Sequence, residues 1–266
     1  MNRIKPTGDQ VNMLENILSS WKDYATYMGS KVYDKKNCFF IINNNSKISC
    51  DFSNSIVCWD KKNLIDTNCK NIFKIRFIQL YKIIQNDQIP VSDVTSEKVA
   101  SLMVLQQDNF KKIADPADCP NLNIKELTIN ELGAFIDIVF DAFGYDKKNI
   151  AESLQFYQIG FKSGMVRYYG LIKEKTLVSA VLVHRSGNKS LYGLELVATL
   201  KQFQGKGYSK ILLTHVMEQL FLSSPEAIWL FSIKGSIAES FYKKIGFLPV
   251  GRILISKLQY GSGSLL

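Results

Sequence analysis

The sequence predicts a mixed α/β protein built in two units with a flexible tail. Three observations carry this reading. At 266 residues the chain exceeds the roughly 100–150 typical of one domain. Its apolar residues alternate between helical three- and four-residue spacing and short runs rich in Val, Ile, Phe and Tyr. The stretch Ala114-Asp-Pro-Ala-Asp-Cys-Pro120 separates residues 1–120 from residues 121–260, and the final GSGSLL, 261–266, reads as the tail.

In the N-terminal unit, Leu14, Ile17, Leu18, Trp21, Ala25 and Met28 set one face of a helix. A strand is expected over 38–42, an Asn/Ser-rich turn over 43–46 and a second strand near 56–59. Phe73, Phe77, Leu80, Tyr81 and Ile84 predict another amphipathic helix, closed by Pro90, and 99–105 a strand. No chemistry can be named in this unit.

In the C-terminal unit, 122–127 is strand-like, and Thr128 with Glu131 three residues on forms a capping-box pattern. Leu132, Phe135, Ile136, Val139 and Phe143 give the helix that follows its apolar face. A second helix is expected over 149–161, then strands over 165–172, 177–183 and 191–199. A Gly-containing turn leads into a helix over 205–222, stopped by Ser223-Ser224-Pro225. A strand over 227–233, a helix over 236–245 and a strand or hairpin over 247–257 complete the unit.

At 46% hydrophobic and 21% charged residues, the composition excludes disordered, collagen-like and coiled-coil chains. No apolar run approaches the ~20 residues of a membrane span. The start, MNRIKPTGDQV, is too polar for a secretory leader, so the expected location is cytoplasmic. The formal charge is +9, with 16 basic and 13 acidic residues in 1–120 and 17 and 11 in the remainder. Neither part shows a block of like charge or a basic face interleaved with aromatics, so no nucleic-acid partner is expected. Cys38, Cys50, Cys58, Cys69 and Cys119 are odd in number and lack C-x-x-C spacing, which points to reduced thiols. With His184 and His215 the only histidines, no metal site is expected.

The chemistry concentrates in Leu194-Glu-Leu-Val-Ala-Thr-Leu-Lys-Gln-Phe-Gln-Gly-Lys-Gly-Tyr-Ser-Lys-Ile-Leu-Leu213, a strand feeding a glycine turn that opens onto a helix. Gly205 and Gly207 let backbone N–H groups converge, the helix dipole adds partial positive charge, and Lys206 and Lys210 supply more. This is a cradle for phosphate or pyrophosphate, although an ordinary strand–helix turn uses glycines too. The spacing excludes a G-x-x-x-x-G-K-[ST] loop and a G-x-G-x-x-G fingerprint.

Gln204-Gly-Lys-Gly207-Tyr-Ser209 resembles the Q/R-x-x-G-x-G/A motif with which the GNAT N-acetyltransferase superfamily binds the pyrophosphate of acetyl-coenzyme A. Val197-Ala198-Thr199 is similar to that family's fourth strand, whose backbone pairs with the pantetheine arm. Ala238-Glu-Ser-Phe-Tyr242-Lys-Lys-Ile-Gly246-Phe247 resembles its closing A-x-x-x-Y-x-x-x-G-F. Two departures stand out: Ser209 replaces the usual Gly or Ala, and Gly235 replaces a frequent Asn. The resemblance covers 122–258 and implies a mixed, mostly antiparallel sheet flanked by helices and splayed at its fourth strand. For 1–120 it suggests a smaller mixed α/β unit, a degenerate copy of that fold as in two-domain relatives.

The resemblance further implies acetyl transfer from acetyl-coenzyme A to an amine, a small molecule or peptide, by direct attack and without a metal. Gln204, Gly205, Lys206, Gly207, Tyr208, Ser209 and Lys210 would hold the coenzyme's pyrophosphate, and Val197, Ala198 and Thr199 its pantetheine. Tyr242 would be the general acid. Glu195, inside an apolar strand, is the candidate base, with a carboxylate paired to a surface lysine as the competing reading. A backbone N–H near Val197 or Thr199 becomes an oxyanion donor if the strand bulges there. Ser232 could assist or merely approach the next helix. His215 reads as solvated and His184 as surface or turn, with a place lining an acceptor cleft as its alternative, while Tyr157, Phe161, Tyr168 and Tyr169 read as core. The alternative function is a coenzyme- or partner-binding module without catalysis, and the oligomeric state, including a homodimer, stays open.

Overall fold

A computed structural model describes residues 8–35, 38–42, 54–58, 77–84, 97–112, 122–187 and 191–259. The expected turn at 43–46, the 114–120 boundary stretch, Cys50, Cys69, Cys119 and the 261–266 tail lie outside them. In chain order the elements are α1 (Gly8–Tyr27), β1 (Lys31–Lys35), β2 (Cys38–Ile42), β3 (Asn54–Cys58), β4 (Phe77–Ile84) and β5 (Glu97–Leu105). There follow β6 (Leu122–Glu126), α2 (Leu132–Phe143), α3 (Ile150–Lys162), β7 (Val166–Lys173), β8 (Thr176–Arg185) and β9 (Leu191–Thr199). The chain closes with α4 (Tyr208–Phe221), β10 (Ala227–Ile233), α5 (Ile237–Lys244) and β11 (Leu248–Gln259).

The strands form one sheet in the order β1-β2-β3-β4-β11-β5-β10-β9-β8-β7-β6. Among the described strands only β3–β4 and β9–β10 are parallel. The seven strands from β6 to β11 therefore make the mostly antiparallel, helix-flanked sheet that the motifs imply. One of the seven comes from early in the chain: β5 lies between β10 and β11, paired antiparallel to both.

Helices cover both faces. On one, α2 and α3 bury Leu132, Phe135, Ile136, Val139, Phe156 and Tyr157. The Thr128 N–H and hydroxyl both donate to Glu131 Oε2, each at 2.9 Å, fixing the chain's entry into α2. Tyr157, Tyr168 and Tyr169 are buried, as expected of core, and Tyr168 donates to the Tyr157 carbonyl at 2.8 Å. On the other face, α4 buries Leu212, Leu213, Val216 and Met217, and α5 buries Tyr242.

The helix α1 shares the face of α2 and α3. Its Ile17, Leu18, Trp21, Tyr24, Ala25 and Met28 are buried, with Trp21 stacked on Phe231 at 5.8 Å. Polar ties hold it there: the Trp229 indole N–H donates to Ser20 Oγ at 3.1 Å, and Gly187 N–H to Asp23 Oδ2 at 2.9 Å.

Two expectations need correction. Residues 77–84 form strand β4, not a helix; the same apolar residues satisfy pairing with β11 along one edge and β3 along the other, and that pairing overrides a locally ambiguous pattern. Phe143 leaves the apolar face of α2 and is exposed, because the helix ends there at the left-handed Gly144 and the ring stacks on Tyr145 at 5.7 Å. No described helix is long and apolar enough to cross a membrane.

Candidate active site

The site begins where the sheet stops pairing. Strands β9 and β10 are matched only at Ala227–Leu191, Ile228–Tyr192 and Trp229–Gly193. Beyond Gly193 their pairing ends, leaving a cleft edged by the second half of β9. On its other side β9 stays paired with β8, but with an irregularity: Leu182 faces Glu195 while Ala180 faces Ala198. Two steps on β8 thus match three on β9, and Leu196, at φ 52°, absorbs the extra residue as a bulge.

The bulge decides where backbone groups point. Leu200 N–H donates to the Val178 carbonyl at 3.0 Å. By the two-residue alternation of an antiparallel ladder, Ala198 turns its polar backbone toward β8, and Val197 and Thr199 turn theirs toward the cleft. Consistent with this, the Thr199 carbonyl accepts from Gln204 Nε2 at 3.0 Å. Ser179 Oγ, donating to the Ala198 carbonyl at 2.9 Å and lying 2.9 Å from Thr199 Oγ1, pins the other side.

Gln204 leads into the glycine turn. Gly205 and Gly207 have φ 76° and 82°, in the left-handed region that side chains disfavour. A Cβ at either would meet nothing within 4 Å, so these glycines are demanded by backbone conformation and open onto free space. Gly207 caps α4 with no side-chain hydrogen bond, so the first N–H groups of the helix face outward with the positive end of its dipole. Lys206 is exposed, folded back to the Gln202 carbonyl at 3.1 Å. Tyr208 turns its ring into the core, where its hydroxyl accepts from Lys173 at 3.1 Å; only its backbone is offered to a ligand. Ser209 and Lys210 are half-buried in the first turn. Asp141 on α2 accepts from Lys201 N–H at 2.7 Å, tying this turn to the opposite helical layer.

Glu195 and Tyr242 approach from different faces. Glu195 shares the face of Leu182 and is buried. Tyr242 projects from α5, packed by Phe241 and Phe247 at ring distances of 5.5 and 5.7 Å. Burial, and then the negative charge of Glu195, push the phenol well above its ordinary range and hold it protonated.

Three features take their full meaning only from the structure. The first is Glu239, buried in α5: its Oε1 accepts from Ser101 Oγ on β5 at 2.6 Å and from Lys243 at 3.1 Å, and its Oε2 accepts from Gly235 N–H at 2.7 Å. These bonds, led by Ser101, hold its carboxyl down to about 2. Ser236-x-x-Glu239 was the available signal, and Ser236 does cap α5 by accepting from Glu239 N–H at 3.1 Å. The second is Ser232, buried and 3.3 Å from Ser236 Oγ at the helix entrance. The third is His184, expected at a surface or turn but fully buried. It is admitted by Gly193, its cross-strand partner, which leaves the room a Cβ would take. His215, expected to be solvated, is half-buried on α4. Among the described residues no group of three His, Cys, Asp or Glu side chains could hold a metal ion.

Residues 134–247 match the family model described as the acetyltransferase (GNAT) family. Among solved structures, the chain is similar to a GCN5-related N-acetyltransferase from Kribbella flavida, with TM-score 0.63 and 11% identity over 91% of this chain and 95% of that one. It is similar to a GNAT-family structure from Novosphingobium aromaticivorans, with TM-score 0.60 and 12% identity over 92% and 97% of the two chains. A tandem GNAT protein from the clavulanic acid biosynthesis pathway is similar with TM-score 0.60 and 8% identity, over 85% and 79%. These likenesses are of fold. No curated protein matches the chain.

Proposed function

We propose, from the premise that residues 134–247 form a GNAT acetyltransferase domain, that the protein moves an acetyl group from acetyl-coenzyme A to an amine by direct attack. One observation supports the reading: β9 and β10 part beyond Gly193, and the freed end of β9 leads into a left-handed glycine turn that opens onto α4 without a side-chain cap.

Acetyl-coenzyme A is a substrate here, and the chain offers each part of it a place. Gln204, Gly205, Lys206, Gly207, Tyr208, Ser209 and Lys210 supply N–H groups, dipole and positive charge for a pyrophosphate. Val197 and Thr199 offer polar backbone at the open edge to the amides of pantetheine, with Ala198 as the strand's anchor. The bulge at Leu196 supplies the means for an N–H to face the carbonyl oxygen as negative charge builds on it.

In the transfer, Glu195 takes a proton from the amine as its nitrogen attacks the thioester carbonyl. The C–N bond forms and the C–S bond breaks, and Tyr242 donates its phenolic proton to the departing sulfur. Burial keeps the phenol in the protonated form that a donor must start from. The acceptor is an amine on a small molecule or a peptide.

Thiol release from acetyl-coenzyme A against a panel of polyamines, aromatic amines, aminoglycosides and peptide amines tests the reading. Tyr242→Phe is expected to lower kcat by roughly 100- to 10,000-fold while leaving coenzyme binding intact. Unchanged turnover would remove Tyr242 from the mechanism. Coenzyme binding without thiol release from any acceptor would favour a binding module.

A further inference from the structure

His184 and Glu195 project from neighbouring strands onto one face of the sheet. His184 is paired with Gly193 and Leu182 with Glu195, which makes the two side chains diagonal neighbours across β8 and β9. The imidazole lies against Gly193 so closely that a Cβ there would stand 2.0 Å from Nε2. Tyr24 of α1 stacks on the ring at 4.3 Å and 19°, and Trp229 of β10 meets it edge-on at 5.3 Å and 78°. Three separate parts of the chain thus fix its orientation, and Nε2 stands 4.0 Å from Glu195 Oε1.

An aromatic filler does not need nitrogen. Both ring nitrogens of His184 are fully buried with no hydrogen-bond partner among the described residues. Leaving a buried polar atom unsatisfied is costly, so a phenylalanine would pack there more favourably. Burial also holds the ring's pKa down to about 3, so it is neutral and carries a single N–H.

We propose that His184 is the positioning residue for Glu195, presenting Nε2–H to Oε1 and so fixing the other carboxylate oxygen toward the acceptor amine. The inference rests on the reading of Glu195 as the base. Catalytic hydrogen bonds are often long without substrate and tighten in the complex; here closure by about 1 Å reaches charge-assisted range. The N-terminal helix enters the site through this contact, since Tyr24 holds the ring that holds the carboxylate.

The test compares Glu195→Gln, His184→Phe and His184→Gln by thiol release with the best acceptor of the amine panel. His184→Phe keeps the ring and removes the donor; kcat is expected to fall roughly 10- to 100-fold, the scale of a misplaced reacting group, with the KM for acetyl-coenzyme A unchanged. His184→Gln, which restores an amide N–H, is expected to recover part of that loss. Added to Glu195→Gln, His184→Phe should cost nothing further. Full activity in His184→Phe, with Glu195→Gln impaired, overturns the proposal alone. Full activity in Glu195→Gln overturns the base reading beneath it. A readout independent of the acceptor is 15N NMR of the imidazoles, simple in a chain with two histidines. A neutral ring protonated at Nε2, whose resonance moves in Glu195→Gln, is expected; a proton on Nδ1, or no response, contradicts the proposal.

Discussion

Replacing Gly193 by alanine tests the packing that shapes the site. The new methyl would stand 2.0, 2.4 and 2.9 Å from Nε2, Cε1 and Cδ2 of His184, all well inside contact distance. The ring cannot simply step aside, because Tyr24 stacks on it and Trp229 closes its edge. Overpacking of this kind costs about 1–3 kcal/mol. At about 2–4 °C per kcal/mol for a chain near this size, the melting temperature should fall by roughly 2–12 °C. Thermal and urea denaturation of the wild type, Gly193→Ala, His184→Ala and the double variant form a complete cycle. Removing the ring makes room for the methyl, so the double variant should be less destabilised than the sum of the singles, by about 1 kcal/mol or more. Strict additivity, or a Gly193→Ala protein as stable as the wild type, would refute the proposed close packing.

Glu239, held down to about 2 in the folded state against an ordinary 4.5, binds fewer protons folded than unfolded between those values. Its stabilising contribution is therefore complete above 4.5 and lost as pH falls toward 2. Urea denaturation at pH 7, 4 and 3 should show the wild type losing stability on acidification more steeply than Glu239→Gln. Gly207→Ala should cost about 1–2 kcal/mol through its left-handed backbone and weaken coenzyme A binding by calorimetry. Gly133→Ala, where a Cβ meets nothing within 4 Å inside α2, should instead stabilise by about 0.4–1 kcal/mol. Trp21→Ala, which strips the buried ring linking α1 to Trp229 and Phe231, should cost about 3–5 kcal/mol in chemical denaturation.

The parts legible in the sequence are those governed by local pattern. Strands β9 and β10 begin and end where the apolar runs place them, and the glycine turn opens onto α4 as the motif implies. What escaped depends on residues far apart in the chain. Nothing within 97–105 says that this strand will lie between β10 and β11. In 77–84, Phe, Ile, Leu and Tyr suit a helix face as well as a strand, and only the neighbours β3 and β11 decide. Strand β1 pairs with β2 through Lys31–Lys35, a segment too polar to announce itself. His184 reads as a surface or turn residue because local apolarity fades beside it; its burial is set by Gly193 and by Tyr24, 160 residues earlier in the chain. Glu239 likewise carries a readable capping pattern, but its strongest partner, Ser101, belongs to β5.

A crystal structure with acetyl-coenzyme A bound tests the central claim most directly. The pyrophosphate should lie on the N–H groups at 205–210, the pantetheine amides on the backbone of Val197 and Thr199, and the sulfur within hydrogen-bond reach of the Tyr242 hydroxyl. The acetyl carbonyl should face the Glu195 side of the cleft. Coenzyme bound elsewhere on the molecule, or in this cleft with its sulfur remote from Tyr242, would contradict the assignment.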